Sequence, residues 1–354
     1  MTFQSKLPLV GTTIFSVMSK MAADHNAINL SQGFPEFPVS EELIDLVYRN
    51  MQMGHNQYAP MPGLPQLREA IAAKIESLYH CQLNPSTEVT VTAGATEAIF
   101  STIMSLVHAG EEVVVLEPAY DCYIPAIILA GGIVRTVPLT TDNFTPDWGL
   151  IDDAVSTNTR MLIINTPHNP SGAVFSATDI TALKKLVANN PDLIILSDEV
   201  YEHIVFDGKP HLSVLSDEQL AKRSVAVYSF GKTFHATGWK IGYVVAPEAL
   251  SNEIRKVHQY NCFSVHTPTQ YAMAEYLKHE RNYLGLGQMY QKKRDFFLDK
   301  VKNSNFKVIP SHGTYFQLLD YSAISDESAM EFASYLTKEV GVASVPISAF
   351  YQQK

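Results

Sequence analysis

Ser224-Val225-Ala226-Val227-Tyr228, followed directly by Ser229-Phe230-Gly231-Lys232-Thr233-Phe234-His235-Ala236-Thr237-Gly238-Trp239-Lys240, is the stretch that decides the fold. Residues 224–228 form a short apolar run of strand character, and the polarity changes abruptly at Ser229. A buried strand ending in a hydroxyl and two lysines puts those groups where open α/β sheets keep their ligand crevice, outside the carboxyl ends of the strands. There a lysine amine can act as a nucleophile and form a Schiff base with a carbonyl compound.

Working outward, further apolar runs at 89–92, 112–116, 133–139, 161–164, 193–196 and 242–245 alternate with helical patterns at 96–107, 123–130, 178–188 and 249–260. That alternation predicts an α/β fold built on a largely parallel sheet of seven strands. The last quarter changes character, with a long helical pattern over 283–301 and short strands near Phe306, over 314–318 and over 343–346. We therefore expect an N-terminal arm and part of a small domain over 1–43, a large domain over 44–282, and a small α+β domain over 283–354. No strong periodicity is evident in residues 1–43.

The composition narrows the function. With 354 residues, 46% of them hydrophobic, and a net charge of −10, the chain has an ordinary globular make-up and no basic run for a nucleic-acid backbone. Its three cysteines, Cys81, Cys122 and Cys262, are widely spaced and form no C-x-x-C, which fits a reducing compartment. No apolar stretch reaches membrane-spanning length and no leader pattern is seen, so a cytoplasmic location is expected. The twelve histidines show no H-E-x-x-H or other close ligand pair, so no metal is expected.

Three more strand ends carry chemistry. Leu193-Ile194-Ile195-Leu196-Ser197-Asp198-Glu199-Val200-Tyr201 is an apolar strand ending in an acid pair, so one carboxylate is aimed into the crevice. An aspartate there can hold a pyridinium nitrogen protonated and turn a pyridine ring into an electron sink; it can also merely cap the following segment. In Leu162-Ile163-Ile164-Asn165-Thr166-Pro167-His168-Asn169-Pro170-Ser171-Gly172, the Asn169 amide can donate to a phenolate oxygen, or the segment can be a plain turn. Thr90-Val91-Thr92-Ala93-Gly94-Ala95-Thr96-Glu97 joins a strand to a helix through small residues. Such a junction exposes backbone N–H groups to an anion, although Thr96 can instead be a simple cap. Ser229 and Lys240 would complete a phosphate site. Lysine, pyridinium partner, phenolate donor and phosphate cup at the ends of strands in one sheet together describe pyridoxal 5'-phosphate. A nucleotide-binding P-loop is the rival for Gly231-Lys232-Thr233, but its pattern needs a glycine at the position of Ala226.

With these residues in place, the chain resembles the fold-type I pyridoxal-phosphate aminotransferases, within the branch of kynurenine or glutamine transaminases and bacterial methionine aminotransferases. The resemblance runs through residues 29–35, Gln57-Tyr58, 63–68, 117–123, 165–172, 197–201, 229–242 and 345–351. It implies the PLP-dependent transferase fold, with Lys232 as Schiff-base lysine, Asp198 as pyridinium partner, and Asn169 and Tyr201 as donors to the ring oxygen. Further implied are Tyr120 stacked on the ring, a phosphate site of Ala95, Thr96, Ser229 and Lys240, and a homodimer in which Tyr58 reaches the neighbouring subunit's phosphate. Gly33, Asn169, Phe15 and Phe263 are the implied substrate-side residues. Members commonly carry Arg at the position of Lys240 and Ser at that of Gly231. The implied activity is ping-pong transfer of an amino group from a bulky uncharged L-amino acid (methionine, aromatic, glutamine or kynurenine type) to a 2-oxo acid; the rivals are a cysteine-conjugate β-lyase or other carbon-sulfur lyase on the same scaffold and, behind these, a non-catalytic regulator that only retains the fold. The family pattern also continues past Tyr351 to a carboxylate-binding arginine, so the chain, ending at Lys354, is expected to lack its last segment.

Overall fold

The computed structural model describes residues 4–352. Its strands are β1 (Ile28–Asn29), β2 (Val89–Thr92), β3 (Glu112–Glu117), β4 (Ile133–Pro138), β5 (Thr159–Asn165), β6 (Ile194–Asp198), β7 (Ser224–Ser229), β8 (Gly242–Val245), β9 (Lys307–Val308), β10 (Leu319–Asp320) and β11 (Val342–Ala343). Seven of them form one sheet in the order β2-β8-β7-β6-β5-β3-β4. All its pairings are parallel except those of β8, which runs antiparallel to both β2 and β7. The expected α/β, mostly parallel seven-stranded architecture is therefore present.

Alternation along the central strands explains why the sheet is covered on both faces. Val114, Leu162, Ile195, Ala226 and Tyr228 enter one core cluster, while Val113, Val115, Ile163, Leu196, Val225 and Val227 enter the other. Strands buried on both sides read as continuous apolar runs, which is why they stand out in the sequence. Helices Ala95–Leu106 and Glu248–Asn261 close the second face through Ala98, Ile99, Ile103 and Ile254. Helix Ala177–Asn189 starts with a reciprocal cap: the Ser176 hydroxyl accepts from Asp179 N–H, and the Asp179 carboxylate accepts from Ser176 N–H at 2.8 Å.

Residues 1–43 are more ordered than their sequence suggests. Helix Ile14–Asp24 is capped by Thr13, and β1 pairs in parallel with β11, Ile28 opposite Val342 and Asn29 opposite Ala343. The helix was hidden because only Met18 and Ala22 of it are buried, too few for an apolar stripe to show. In the last quarter the long helix spans Leu286–Val301. The strand expected over 314–318 is irregular, with Thr314 at φ 62°; pairing begins at Leu319, opposite Val308.

Gly172, at φ 73°, lies where the 165–172 loop meets residues 311–313. A Cβ there would fall 2.0 Å from Ser311 Oγ and 2.7 Å from the Gly313 carbonyl, in a backbone region that L-residues rarely adopt. Gly172→Ala is expected to lower stability by about 2 kcal/mol or more, read from the urea midpoint; a loss below about 0.5 kcal/mol would show that the loop relaxes freely.

Candidate active site

An open cleft of about 650 Å³ lies across the carboxyl ends of the strands, lined among others by Ala95, Thr96, Tyr120, Asn169, Asp198, Tyr201, Ser229, Lys232 and Lys240. Three of these side chains follow from strand geometry. Asp198 ends β6 and pairs in register with Asn165, which ends β5. Ser229 ends β7, and the turn Phe230–Thr233 that follows carries Lys232. Gly231-Lys232-Thr233 is thus one helical turn, with no loop to wrap a nucleotide phosphate.

Asp198 is almost fully buried. Its Oδ2 accepts from the Tyr123 hydroxyl at 2.6 Å and its Oδ1 from Val200 N–H at 3.4 Å. Burial pushes its pKa up to about 6, while the hydrogen bonds from Tyr123 and Val200 and the charge of Lys232 act the other way. The capping bond to Val200 is long, so capping explains little of the residue's placement. Along the same segment the side chains alternate between cleft and interior. Glu199 points away to Ser197, the Val214 N–H, His211 and Tyr228, and Glu202 to Lys74 and Tyr79, where Lys74 holds its carboxyl down to about 2 despite burial.

The Asn169 loop is built on Asn165, whose Nδ2 donates to the Asp198 carbonyl at 2.8 Å and whose Oδ1 accepts from Asn169 N–H at 2.7 Å. His168, buried and drawn down to about 4 by desolvation, is a neutral clasp. One ring nitrogen meets the Pro118 carbonyl at 2.9 Å and the other Ser171 Oγ at 2.7 Å. It thereby ties the loop bearing Asn169 to the one bearing Tyr120. At the other end of the cleft, helix Ala95–Leu106 presents its N-terminus behind Gly94. A Cβ on Gly94 would stand 3.3 Å from Lys240 Nζ, so glycine there keeps the cation close to the helix end. Gly94, not Thr96, occupies the cap position, and no side chain caps it.

Lys232 Nζ donates to the Gly33 carbonyl and to the Tyr315 hydroxyl, each at 2.9 Å. Phe15 stands beside Gly33, 3.9 Å from where a Cβ would sit, and meets the Phe350 ring at a tilt, centroids 5.7 Å apart. Two expected residues are not brought to the cleft within one chain. Tyr58, 83% exposed, packs edge-on against the exposed Phe263 at 5.3 Å on the surface. His235, three residues beyond Lys232, packs edge-on against Phe37 at 4.4 Å, and burial lowers it to about 4. Tyr315 and Tyr123 were missed. Tyr123 lay inside a segment already singled out, three residues after Tyr120, whereas nothing in Gly313-Thr314-Tyr315-Phe316 marks a lysine partner.

This strand-end cleft with its lysine, buried aspartate and helix-end cation defines an enzyme of the aminotransferase type. The family model for aminotransferase class I and II matches residues 25–354, and the chain belongs to that family. It is 50% identical over 348 residues to a methionine aminotransferase of Escherichia coli, covering 98% of this chain and 90% of that protein. It is 34% identical over 377 residues to a kynurenine–oxoglutarate transaminase of Dictyostelium discoideum, covering 96% and 87%. The crystal structure of YbdL from Escherichia coli, identified as a methionine aminotransferase, superposes with TM-score 0.97 at 49% identity over 100% of this chain and 93% of that one. An N-succinyldiaminopimelate aminotransferase from Mycobacterium tuberculosis gives TM-score 0.96 at 38% identity, covering 99% and 92%. Among the described residues, no helix is long and apolar enough to cross a membrane, and no cluster of three metal-ligating side chains occurs. The end of the chain at Lys354, beyond which the expected arginine would fall, lies outside the described residues.

The raised pKa of Asp198 makes a signed prediction. A folded value of about 6 against an ordinary 3.8 means the protonated carboxyl is favoured by folding. Its stabilisation is complete below the ordinary value and is lost as pH rises through about 6, at a cost of about 3 kcal/mol. Asp198→Asn keeps an acceptor for Tyr123 without the charge. The cofactor-free variant is expected to melt higher than the parent at about pH 8 and alike at about pH 4. An equal difference at both values would show that the buried charge is not the cause.

Proposed function

We propose that this aminotransferase binds pyridoxal 5'-phosphate in the strand-end cleft. With it, the enzyme moves the amino group of a bulky, uncharged L-amino acid of methionine, aromatic, glutamine or kynurenine type to a 2-oxo acid by a ping-pong cycle. The observation that carries the reading is the convergence of Lys232, Asp198 and Asn169 on one cleft.

The residues fit the cofactor. Asn169 Oδ1 is buried without a hydrogen-bond partner, and a flip of the amide puts its NH2 donors at that point, where an incoming oxygen would accept from them. Gly94 leaves open a cradle, between the helix end and Lys240, that a Cβ would fill. The donor set suits the parts of the group: Lys232 for its aldehyde carbon, Asp198 for its ring nitrogen, Asn169 and Tyr201 for its ring oxygen, Tyr120 for its face. Ala95, Thr96, Ser229 and Lys240 would hold its phosphate. When bound, pyridoxal phosphate supplies an electron sink for the carbanion formed at the substrate Cα.

The protein's share of the chemistry is proton movement and charge placement. The Lys232 amine would take the Cα proton and later return it to the carbon on the far side of the amino nitrogen, the one that had carried the cofactor's aldehyde. Asp198 stays ionised opposite the ring cation, and the charge pair lowers the cost that burial imposes on its carboxylate. Gly33 and Phe15 stand on the substrate side, and Asn169 lies within reach of a substrate carboxylate. The rings of Phe15 and Phe350, and the methionine and kynurenine named for two of the relatives, support a bulky uncharged side chain.

Exposure of Tyr58 and Phe263 supports a homodimer in which both residues serve the neighbouring subunit's cleft, Tyr58 on the phosphate and Phe263 on the substrate. The pairing of β1 with β11 supports dividing the chain into an arm with part of a small domain (1–43), a large domain (44–282) and a small domain (283–354). The free state of Cys81, Cys122 and Cys262 supports a reducing compartment, the cytoplasm.

Lys232→Ala is expected to bind cofactor yet show no exchange between amino and oxo acids, and undiminished exchange would sink the assignment. In a donor panel at fixed oxo acid, methionine and aromatic donors should exceed aspartate in kcat/KM by roughly tenfold or more, and the reverse order would refute the pocket reading. Tyr58→Phe, despite its exposure in a single chain, is expected to weaken cofactor binding by roughly tenfold in a fluorescence titration. An unchanged dissociation constant would remove it from the phosphate site.

A further inference from the structure

The Lys232 amine sits at a junction of three chain segments. The Tyr315 hydroxyl donates its proton to the Gly33 carbonyl, and Lys232 Nζ donates to that same carbonyl and to the Tyr315 oxygen. A phenol has one proton. With that proton committed to Gly33, Tyr315 can only accept from the amine. To act as a base the amine must be neutral, with two N–H donors and one lone pair, and Gly33 O and Tyr315 Oη are placed to engage both donors. The lone pair is left for the remaining direction.

We propose that Tyr315 is a positioning residue for Lys232. By fixing the two N–H bonds of the neutral amine against the Gly33 carbonyl and its own oxygen, it aims the lone pair at the substrate Cα–H. The inference rests on the reading of Lys232 as the proton carrier. In the step so served, the Cα–H bond breaks, an Nζ–H bond forms, and the electron pair stays on the substrate side. The new N–H is then the one not held by the two anchors, and so the one free to be delivered.

Tyr315 is itself rigidly placed. Thr314 N–H donates to the Ile204 carbonyl at 2.9 Å, Phe206 N–H to the His312 carbonyl at 2.8 Å, and His312 N–H to the Gly172 carbonyl at 2.8 Å. A Cβ on Gly313 would come 2.8 Å from both the Ile204 carbonyl and Pro167 Cβ, so the segment is pressed against the loops that bear Tyr201 and Asn169. The Tyr201 and Tyr315 rings meet edge-to-face at 5.3 Å, and Lys232 Nζ lies 5.6 Å from each centroid. Those faces favour the amine once it is charged.

The test is Tyr315→Phe, which keeps the ring and removes the anchor, beside Tyr290→Phe, whose ring neighbours Tyr315 at 5.8 Å and whose hydroxyl has no partner. Steady-state kinetics of the holoenzyme should show kcat for Tyr315→Phe reduced roughly 10- to 100-fold. The KM for the amino donor should stay within about threefold, and the isotope effect with a Cα-deuterated donor should rise. Tyr290→Phe should match the parent. In crystals of the cofactor-free full chain, the Lys232 amine should lie between Gly33 and Tyr315 in the parent and leave that position in Tyr315→Phe. A kcat within about twofold of the parent, an equal loss in Tyr290→Phe, or an amine unmoved by the substitution would overturn the proposal. Activity retained by Lys232→Ala would instead sink the proton-carrier reading, whereas an inactive Lys232→Ala with a near-normal Tyr315→Phe sinks this inference alone.

Discussion

A carboxylate removed from water at the end of a central strand is the constraint around which the rest is arranged. Asp198 cannot be solvated where it stands, so the fold supplies Tyr123 from the start of one helix and the Val200 N–H from its own turn. These offset part of the desolvation and leave the group poised, with its pKa still raised. A buried anion of that kind favours whatever cation comes within reach, which is the property the proposed cofactor site needs. The backbone of the same residue is also used. Its carbonyl takes Asn165 Nδ2, and Asn165 in turn fixes the Asn169 N–H, so one residue sets both ends of the site.

The interior side of the strand is as polar as the cleft side. Lys74 lies within 6 Å of the ring centres of Tyr228, Tyr243 and Tyr283 and pairs with Glu202, while Glu199 gathers Ser197, His211 and Tyr228. Ionic groups this deep contribute little net stability compared with apolar packing, and removing one partner alone is costly. Their geometric effect is plain: Glu199 and Glu202 are clamped one residue beyond Asp198 and one beyond Tyr201, so the segment between them has little freedom to twist.

Much of this was legible in the residues. Strands buried on both faces announce themselves as apolar runs, and Lys232, Asp198, Asn169 and Ser229 are polar groups at their ends, so position and chemistry were read together. Tyr315 was not legible, because its role depends on a left-handed turn at Thr314 and on a contact with Gly33 nearly three hundred residues earlier in the chain. Helix Ile14–Asp24 escaped because it buries too little to leave a periodic trace. Tyr58 and Phe263 were legible only through the family resemblance, for nothing in their own neighbourhood within one chain points to the cleft.

The two-residue ladder between β1 and β11 has a consequence for how such an enzyme changes over time. The segment that carries Gly33 follows that ladder and lies outside the seven-stranded sheet, and it meets the sheet-borne groups through the hydrogen bond from Lys232 to the Gly33 carbonyl. Substitutions near the chain's two ends can reshape what fits against that segment while leaving the sheet-borne groups in register. On the proposed reading the side chains along that segment can change, while the Gly33 carbonyl, which takes a hydrogen bond from the Lys232 amine, has to keep its place.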